Sequence, residues 1–168
     1  MRKILVPVDD SANSERAVRH IISEYRENPA LEVHLLNVQA PFPRHISQFF
    51  SRKNLKSYHD DRSRAILRPL RRLLDAAGVP HTTHMAVGRK AQVIVETARR
   101  IGCDHIVMST ARKNSLTRMV EASVTNKVLE LTTVPVEVIA GDAVSKLERY
   151  GIPAAIATGL GILAYAID

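Results

Sequence analysis

The chain has 168 residues, about one domain's worth, and a chain of that size hides roughly two-thirds of its unfolded surface. A composition of 45% hydrophobic and 24% charged residues excludes a disordered segment, and a single cysteine excludes both an internal disulfide framework and a Cys-rich zinc site. The net charge of +7 invites a nucleic-acid or membrane reading, so its location along the chain decides what it means.

Ile4 to Val8 is a continuous apolar run that predicts a strand buried on both faces. Asp9, Asp10 and Ser11 follow; Asp10 or Ser11 can cap the next helix, and of the two acids Asp10 is the better placed. Ala17, Val18, Ile21, Ile22 and Tyr25 recur at helical spacing until Asn28-Pro29 ends the helix. Leu31 to Val38 reads as a second strand, and Pro41 and Pro43 open an irregular stretch.

Residues 44 to 72 hold nine basic residues against Asp60 and Asp61, which accounts for the whole net charge; the rest of the chain is balanced. A helix from about Tyr58 to Ala77 runs through this segment, with Ile66, Leu70, Leu73, Leu74 and Ala77 on one face. Pro69 should kink or weaken it. The charge therefore reads as one solvated helix face, with Asp60 and Asp61 pairing with neighbours such as Arg64 three or four residues on. It lies away in sequence from the loops that end the strands. No zinc-finger spacing and no basic-aromatic interleaving accompanies it, so nucleic acid is not expected as a partner.

His81 to Ala86 predicts a third strand. Ala91, Ile94, Val95, Ala98 and Ile101 mark a helix that Gly102 ends. His105 to Ser109 is a fourth, buried strand, a basic loop follows, and Val124, Val128 and Leu131 mark a helix from about Ser123 to Thr132. Val134 to Ile139 is the last strand. Alternation of this kind implies an α/β fold with a parallel sheet and helices on both faces. Ligands in such sheets bind beyond the carboxyl ends of the strands, which points to the loops beginning at Asp9 and Ser109.

The segments Lys3 to Ser11 (Lys-Ile-Leu-Val-Pro-Val-Asp-Asp-Ser), Leu35-Leu36-Asn37-Val38, Ile106 to Thr110, and Ser123-Val124 ahead of Val134-Pro135-Val136 together resemble the universal stress proteins. The resemblance covers roughly residues 1 to 140. It implies a Rossmann-like five-stranded parallel sheet in the order 3-2-1-4-5 and a homodimer built through the last strand, Val134 to Ile139. It also implies a stress-response role and, in one branch, ATP binding through a motif of the form Gly-x2-Gly-x9-Gly-(Ser/Thr). Here that motif keeps its spacing and loses its glycines: its positions fall on Ser109, Arg112, Ala122 and Ser123.

The resemblance carries the adenine and ribose contacts onto Pro7, Val8, Asp9 and Val38, and the phosphate contacts onto Ser109, Arg112, Ser123, Val124 and Thr125. Glycine at such places permits positive φ and close approach of backbone N–H groups to phosphate. Arg112 should fill that space, or clamp the anion with its charge. The expected ligand is accordingly no firm cofactor, with ATP or another adenine nucleotide as the candidate. Asp9 has two readings, a ribose ligand or the cap of the first helix, and Ser123 reads first as a helix N-cap.

No nucleophile–base pair or strained elbow is present, so no catalytic residues are assigned and the chain is read as a non-enzyme. Weak ATPase activity is the alternative. Cys103 reads as inert packing. His81 and His84 stand three apart, odd for one strand face, so no metal site is assigned. The N-terminus lacks a signal-peptide shape, and with one cysteine the expected compartment is the cytoplasm.

The domain is drawn at residues 1–141 and a C-terminal apolar helical extension at 142–168. Ile152 to Ile167 are 16 residues without a charge, about 24 Å of helix against the ~30 Å of a bilayer core. The extension is therefore expected to pack on the domain or on a second subunit. A membrane-associated adaptor, using this tail and the basic segment, is the competing reading.

Overall fold

The structure is a computed structural model, and it describes residues 2–112 and 118–143. Ten elements follow one another: β1 (Arg2–Val8), α1 (Ala12–Glu27), β2 (Leu31–Gln39), α2 (Arg44–Ser47), α3 (Arg52–Ala76), β3 (His81–Val87), α4 (Lys90–Ile101), β4 (His105–Arg112), α5 (Arg118–Leu131) and β5 (Val136–Ala143). The five strands form one parallel sheet in the order β3-β2-β1-β4-β5.

The apolar run of β1 now has its cause. Alternate side chains serve two separate cores, because successive residues of a strand point to opposite faces. Ile4, Val6 and Val8 join the core under α1 and α3, with Ala17, Ile21, Leu67 and Leu74. Leu5 joins the core under α4 and α5, with Leu36, Ile94, Ile106 and Val128. Cys103 is buried in the second core as a small apolar residue. Gly102 ends α4 in the left-handed conformation at φ 61 and ψ 49, where a Cβ would be strained.

Helix α3 departs from its expectation at both ends and in the middle. It begins six residues before Tyr58, at Arg52, with the Ser51 hydroxyl accepting the Asn54 N–H at 3.1 Å. It also continues through Pro69. Proline inside a helix costs ~3 kcal/mol, yet Leu67, Leu70 and Leu74 on either side are buried, each contributing about 1.5–3 kcal/mol. Packing outweighs the lost backbone bond. The buried face carries Leu67 where the periodicity suggested Ile66. Asp61 pairs with Arg64 at 3.0 Å and Asp60 with Lys56 at 2.6 Å, as read from the spacing.

Strand β4 runs three residues past Ser109, to Arg112, and β5 runs from Val136 to Ala143 in place of 134–139. Their ladder reaches Arg112 and Ala143 across a register irregularity between Thr110 and Arg112. Helix α5 begins at Arg118, five residues before the expected start. The apolar tail from residue 144 onward lies outside the described residues. Among the described residues no helix is long and apolar enough to cross a membrane.

Candidate functional site

The sequence order of the strands reverses between β1 and β4, so their carboxyl ends flank the crevice of this sheet. On the β1 side the chain leaves the sheet at Val8 and turns through Asp9 and Asp10 into α1. Asp9 organises that turn. Its Oδ1 accepts the Ser11 N–H at 3.0 Å, the Ser11 hydroxyl at 2.5 Å and the Ser14 hydroxyl at 2.8 Å, while Ser14 Oγ accepts the Asp9 N–H at 2.7 Å.

These bonds all fall on Oδ1, which leaves Oδ2 as the oxygen that can accept a ligand hydroxyl. Burial pushes the Asp9 carboxyl up, but the bonds from Ser11 and Ser14 and the Lys90 ammonium outweigh it and hold the group below 3.8. Asp9 is therefore an anion at neutral pH, an acceptor and not a donor.

That depression has a sign. A carboxyl lower in the folded than in the unfolded state adds stability above its unfolded value, and loses it as pH falls through the folded value. Asp9→Asn should therefore unfold more easily than the parent chain at pH 7, with the gap closing below about pH 4. Urea unfolding across pH 2.5–7 measures this; a gap that is constant with pH would exclude the assignment.

Asp10 does not cap the helix. Ser11 takes the N-cap position at φ −84 and ψ 154, and Asp10, one residue too early, pairs at 2.6 Å with Arg62 of α3. The basic segment, distant in sequence, thus reaches the rim of the β1 loop. Below it, Asn37 is 1% exposed and ties three elements together. Its Nδ2 donates to the Val8 carbonyl at 2.8 Å, and its Oδ1 accepts the Ser63 hydroxyl at 2.9 Å and the Gln39 amide at 2.6 Å. Asn37, Ser63, Ser14, Arg62 and Lys90 escaped the sequence reading. Only the polar Asn37 inside an apolar strand carried a signal for them.

The predicted residues come together in part. Pro7 is half-buried and Val8 buried at the end of β1; Val38 is buried on β2, beside Asn37, which pairs with Val8. Val38, Met108 and Val124 share the α4–α5 core, so Val124 and Val38 line one side of the sheet. Thr125 is half-buried on α5. The Ser109 hydroxyl is buried and has no hydrogen-bond partner, a polar group at the switch point that awaits one.

Other positions fall elsewhere. Ser109 and Arg112 lie in strand β4, and Ser123 lies inside α5, not at its N-cap. No described non-glycine residue has positive φ. Without glycine the backbone of β4 stays extended and pairs with β5 at Ser109, Thr110 and Arg112, with an irregularity between Thr110 and Arg112.

Comparison with known proteins agrees with this fold. The Universal stress protein family matches residues 1–140. Universal stress protein MJ0531 of Methanocaldococcus jannaschii is 32% identical over 143 residues, covering 82% of this chain and 81% of that protein. The solved structure of the protein MJ0577 superposes with a TM-score of 0.70 at 27% identity, over 85% of this chain and 98% of that one. The universal stress protein from Archaeoglobus fulgidus in complex with dAMP superposes with a TM-score of 0.61 at 20% identity, over 83% of this chain and 98% of that one. The chain belongs to the universal stress protein family.

Proposed function

We propose that the chain is a non-catalytic, homodimeric stress-response protein that acts by binding an adenine nucleotide with one phosphate, or a partner in that state. The observation that carries this is the division of the site. The nucleoside side is assembled: the Asp9 turn, braced by Ser11 and Ser14, stands beside Val8, Asn37 and Val38. On the triphosphate side, residues 109 and 112 are strand and residue 123 is helix interior.

A nucleoside with a single phosphate needs the first half and little of the second. The dAMP bound by the Archaeoglobus relative is a ligand of that size. Hydrolysis is not expected. Homodimerisation rests on β5, an edge strand of the sheet with Val138 41% exposed. The test compares AMP and ATP by calorimetry on tag-free protein. AMP should bind at least as tightly as ATP, and ATP should not turn over.

A second reading has its own observation. Contrary to the expectation that no aromatics interleave with the basic segment, Phe49 is 77% exposed, Phe50 54% and Tyr58 53%, beside Arg44, Arg52, Lys53 and Lys56. Aromatic side chains among cations suit the surface of an anionic membrane. Sedimentation with vesicles containing 30% phosphatidylserine should lose binding in the Phe49→Ser/Phe50→Ser chain. No sedimentation of the parent chain at low salt would end this reading.

A further inference from the structure

On the opposite side of the sheet's edge from the nucleotide loop, three elements bring four ionisable side chains together. His20 and Glu24 stand four residues apart on α1, one turn of helix, and so share a face. Glu137 lies on β5 opposite Val107 of β4. His105 lies two residues before Val107, and so faces α1 as Val107 does. One donor atom from each of His20, Glu24 and Glu137 lies within 4.8 Å of the other two. His20 Nε2 is 2.8 Å from Glu137 Oε1, and His105 Nε2 is 3.9 Å from Glu137 Oε2.

An ordinary ion pair leaves part of this arrangement unexplained. His105 is 4% exposed, and neither of its ring nitrogens has a hydrogen-bond partner. Glu24 Oε2 is likewise buried without a partner, while its other oxygen, Oε1, accepts from Arg2 at 3.2 Å. Buried nitrogen and oxygen lone pairs without donors are costly, and a cation between them would satisfy both.

We propose that His20, Glu24 and Glu137, whose ligand atoms lie within 4.8 Å of one another, bind one divalent transition-metal ion of the zinc class, with buried His105, 3.9 Å from Glu137, closing in as the fourth ligand and joining α1 to the β4–β5 edge of the sheet. Bonds of about 2.0–2.2 Å to nitrogen and oxygen set tetrahedral ligands about 3.3 Å apart, so the side chains of this cluster, within 4.8 Å of one another, must draw in by about an ångström around an ion. Two imidazoles and two carboxylates suit zinc, a borderline-soft ion, better than calcium or magnesium, which prefer all-oxygen sets. The two carboxylates offset the ion's charge, and Arg2 orients Glu24 through Oε1 while Oε2 stays available. The sequence offered no signal, because the ligands come from three elements and only His20 and Glu24 are near neighbours. Such an ion would pin the strand through which the dimer is proposed to form.

Tag-free full chain, stripped with a chelator, is titrated with Zn2+ alone by calorimetry and by thermal unfolding. One ion per chain should bind at roughly micromolar Kd or tighter, with a zinc-dependent rise in Tm. His20→Ala and Glu137→Gln, both at half-exposed positions, should each weaken binding about tenfold or more, with the circular dichroism unchanged. The His34→Gln/His84→Gln chain, altered at the histidine pair between β2 and β3, should keep it. No saturable zinc binding, equal binding by both single variants and parent, or loss of binding in the His34→Gln/His84→Gln chain would overturn the proposal.

Discussion

Replacing Asn37 with leucine is expected to destabilise the protein by about 2–4 kcal/mol, since each buried polar group left without a partner costs ~1–3 kcal/mol. Leucine has nearly the shape of asparagine but neither donates nor accepts. The Val8 carbonyl loses the bond from Nδ2, and the Ser63 hydroxyl, on a residue 2% exposed, loses its acceptor. The lower figure applies if the Ser63 hydroxyl turns back onto the His59 carbonyl one turn earlier in α3. For a chain of this length the change lowers Tm by roughly 5–15 °C.

Partner removal predicts a recovery that a packing defect does not. Asn37→Leu/Ser63→Ala should regain about 1 kcal/mol relative to Asn37→Leu, because it deletes the orphaned hydroxyl. Denaturant unfolding of the four chains of this cycle measures the coupling. Additive losses would mean that Ser63 and Asn37 do not depend on each other.

Asp9→Ala has the largest expected effect on ligand binding. A hydrogen bond to a charged acceptor is worth about 1.5–3 kcal/mol, so AMP affinity should fall roughly 10- to 100-fold. The variant also removes the acceptor of the Ser11 and Ser14 bonds, so its stability must be measured beside its affinity. Asp10→Ala is the matched control, since Asp10 only makes an exposed pair with Arg62, an interaction worth about 0–1 kcal/mol. Equal affinity in the Asp9→Ala chain and its parent, by calorimetry, would remove Asp9 from the ligand site.

The strands were legible because burial on both faces leaves an unbroken apolar run, as from Ile4 to Val8 and from Leu31 to Leu36 with only Glu32 and His34 interposed. Helix starts were less so. The first turns of α3, Arg52 to Tyr58, are exposed apart from half-buried Leu55, so no apolar period marks them. Helix α5 starts at Arg118, five residues before the start read from Val124, Val128 and Leu131.

The end of β4 was misplaced for a different reason. Thr110 and Arg112 are polar, and their pairing depends on Ala140 and Ala143 of a strand thirty residues on. Of the proposed site, Asp9 and Val38 come from the local segments that carry the family resemblance. Asn37, Ser63 and Lys90 act across elements: the pairing of β1 with β2 brings Asn37 to Val8, α3 brings Ser63 to Asn37, and α4 brings Lys90 near Asp9.

The proposed site is complete for a nucleoside with one phosphate and incomplete for a triphosphate. Parallel calorimetric titrations of the tag-free chain with AMP and with ATP test it in one ratio. A Kd for ATP equal to or weaker than that for AMP is the predicted result. A Kd for ATP tighter by roughly tenfold, which is 1.4 kcal/mol of added triphosphate contact, would contradict it and return Arg112 to the role of a phosphate clamp.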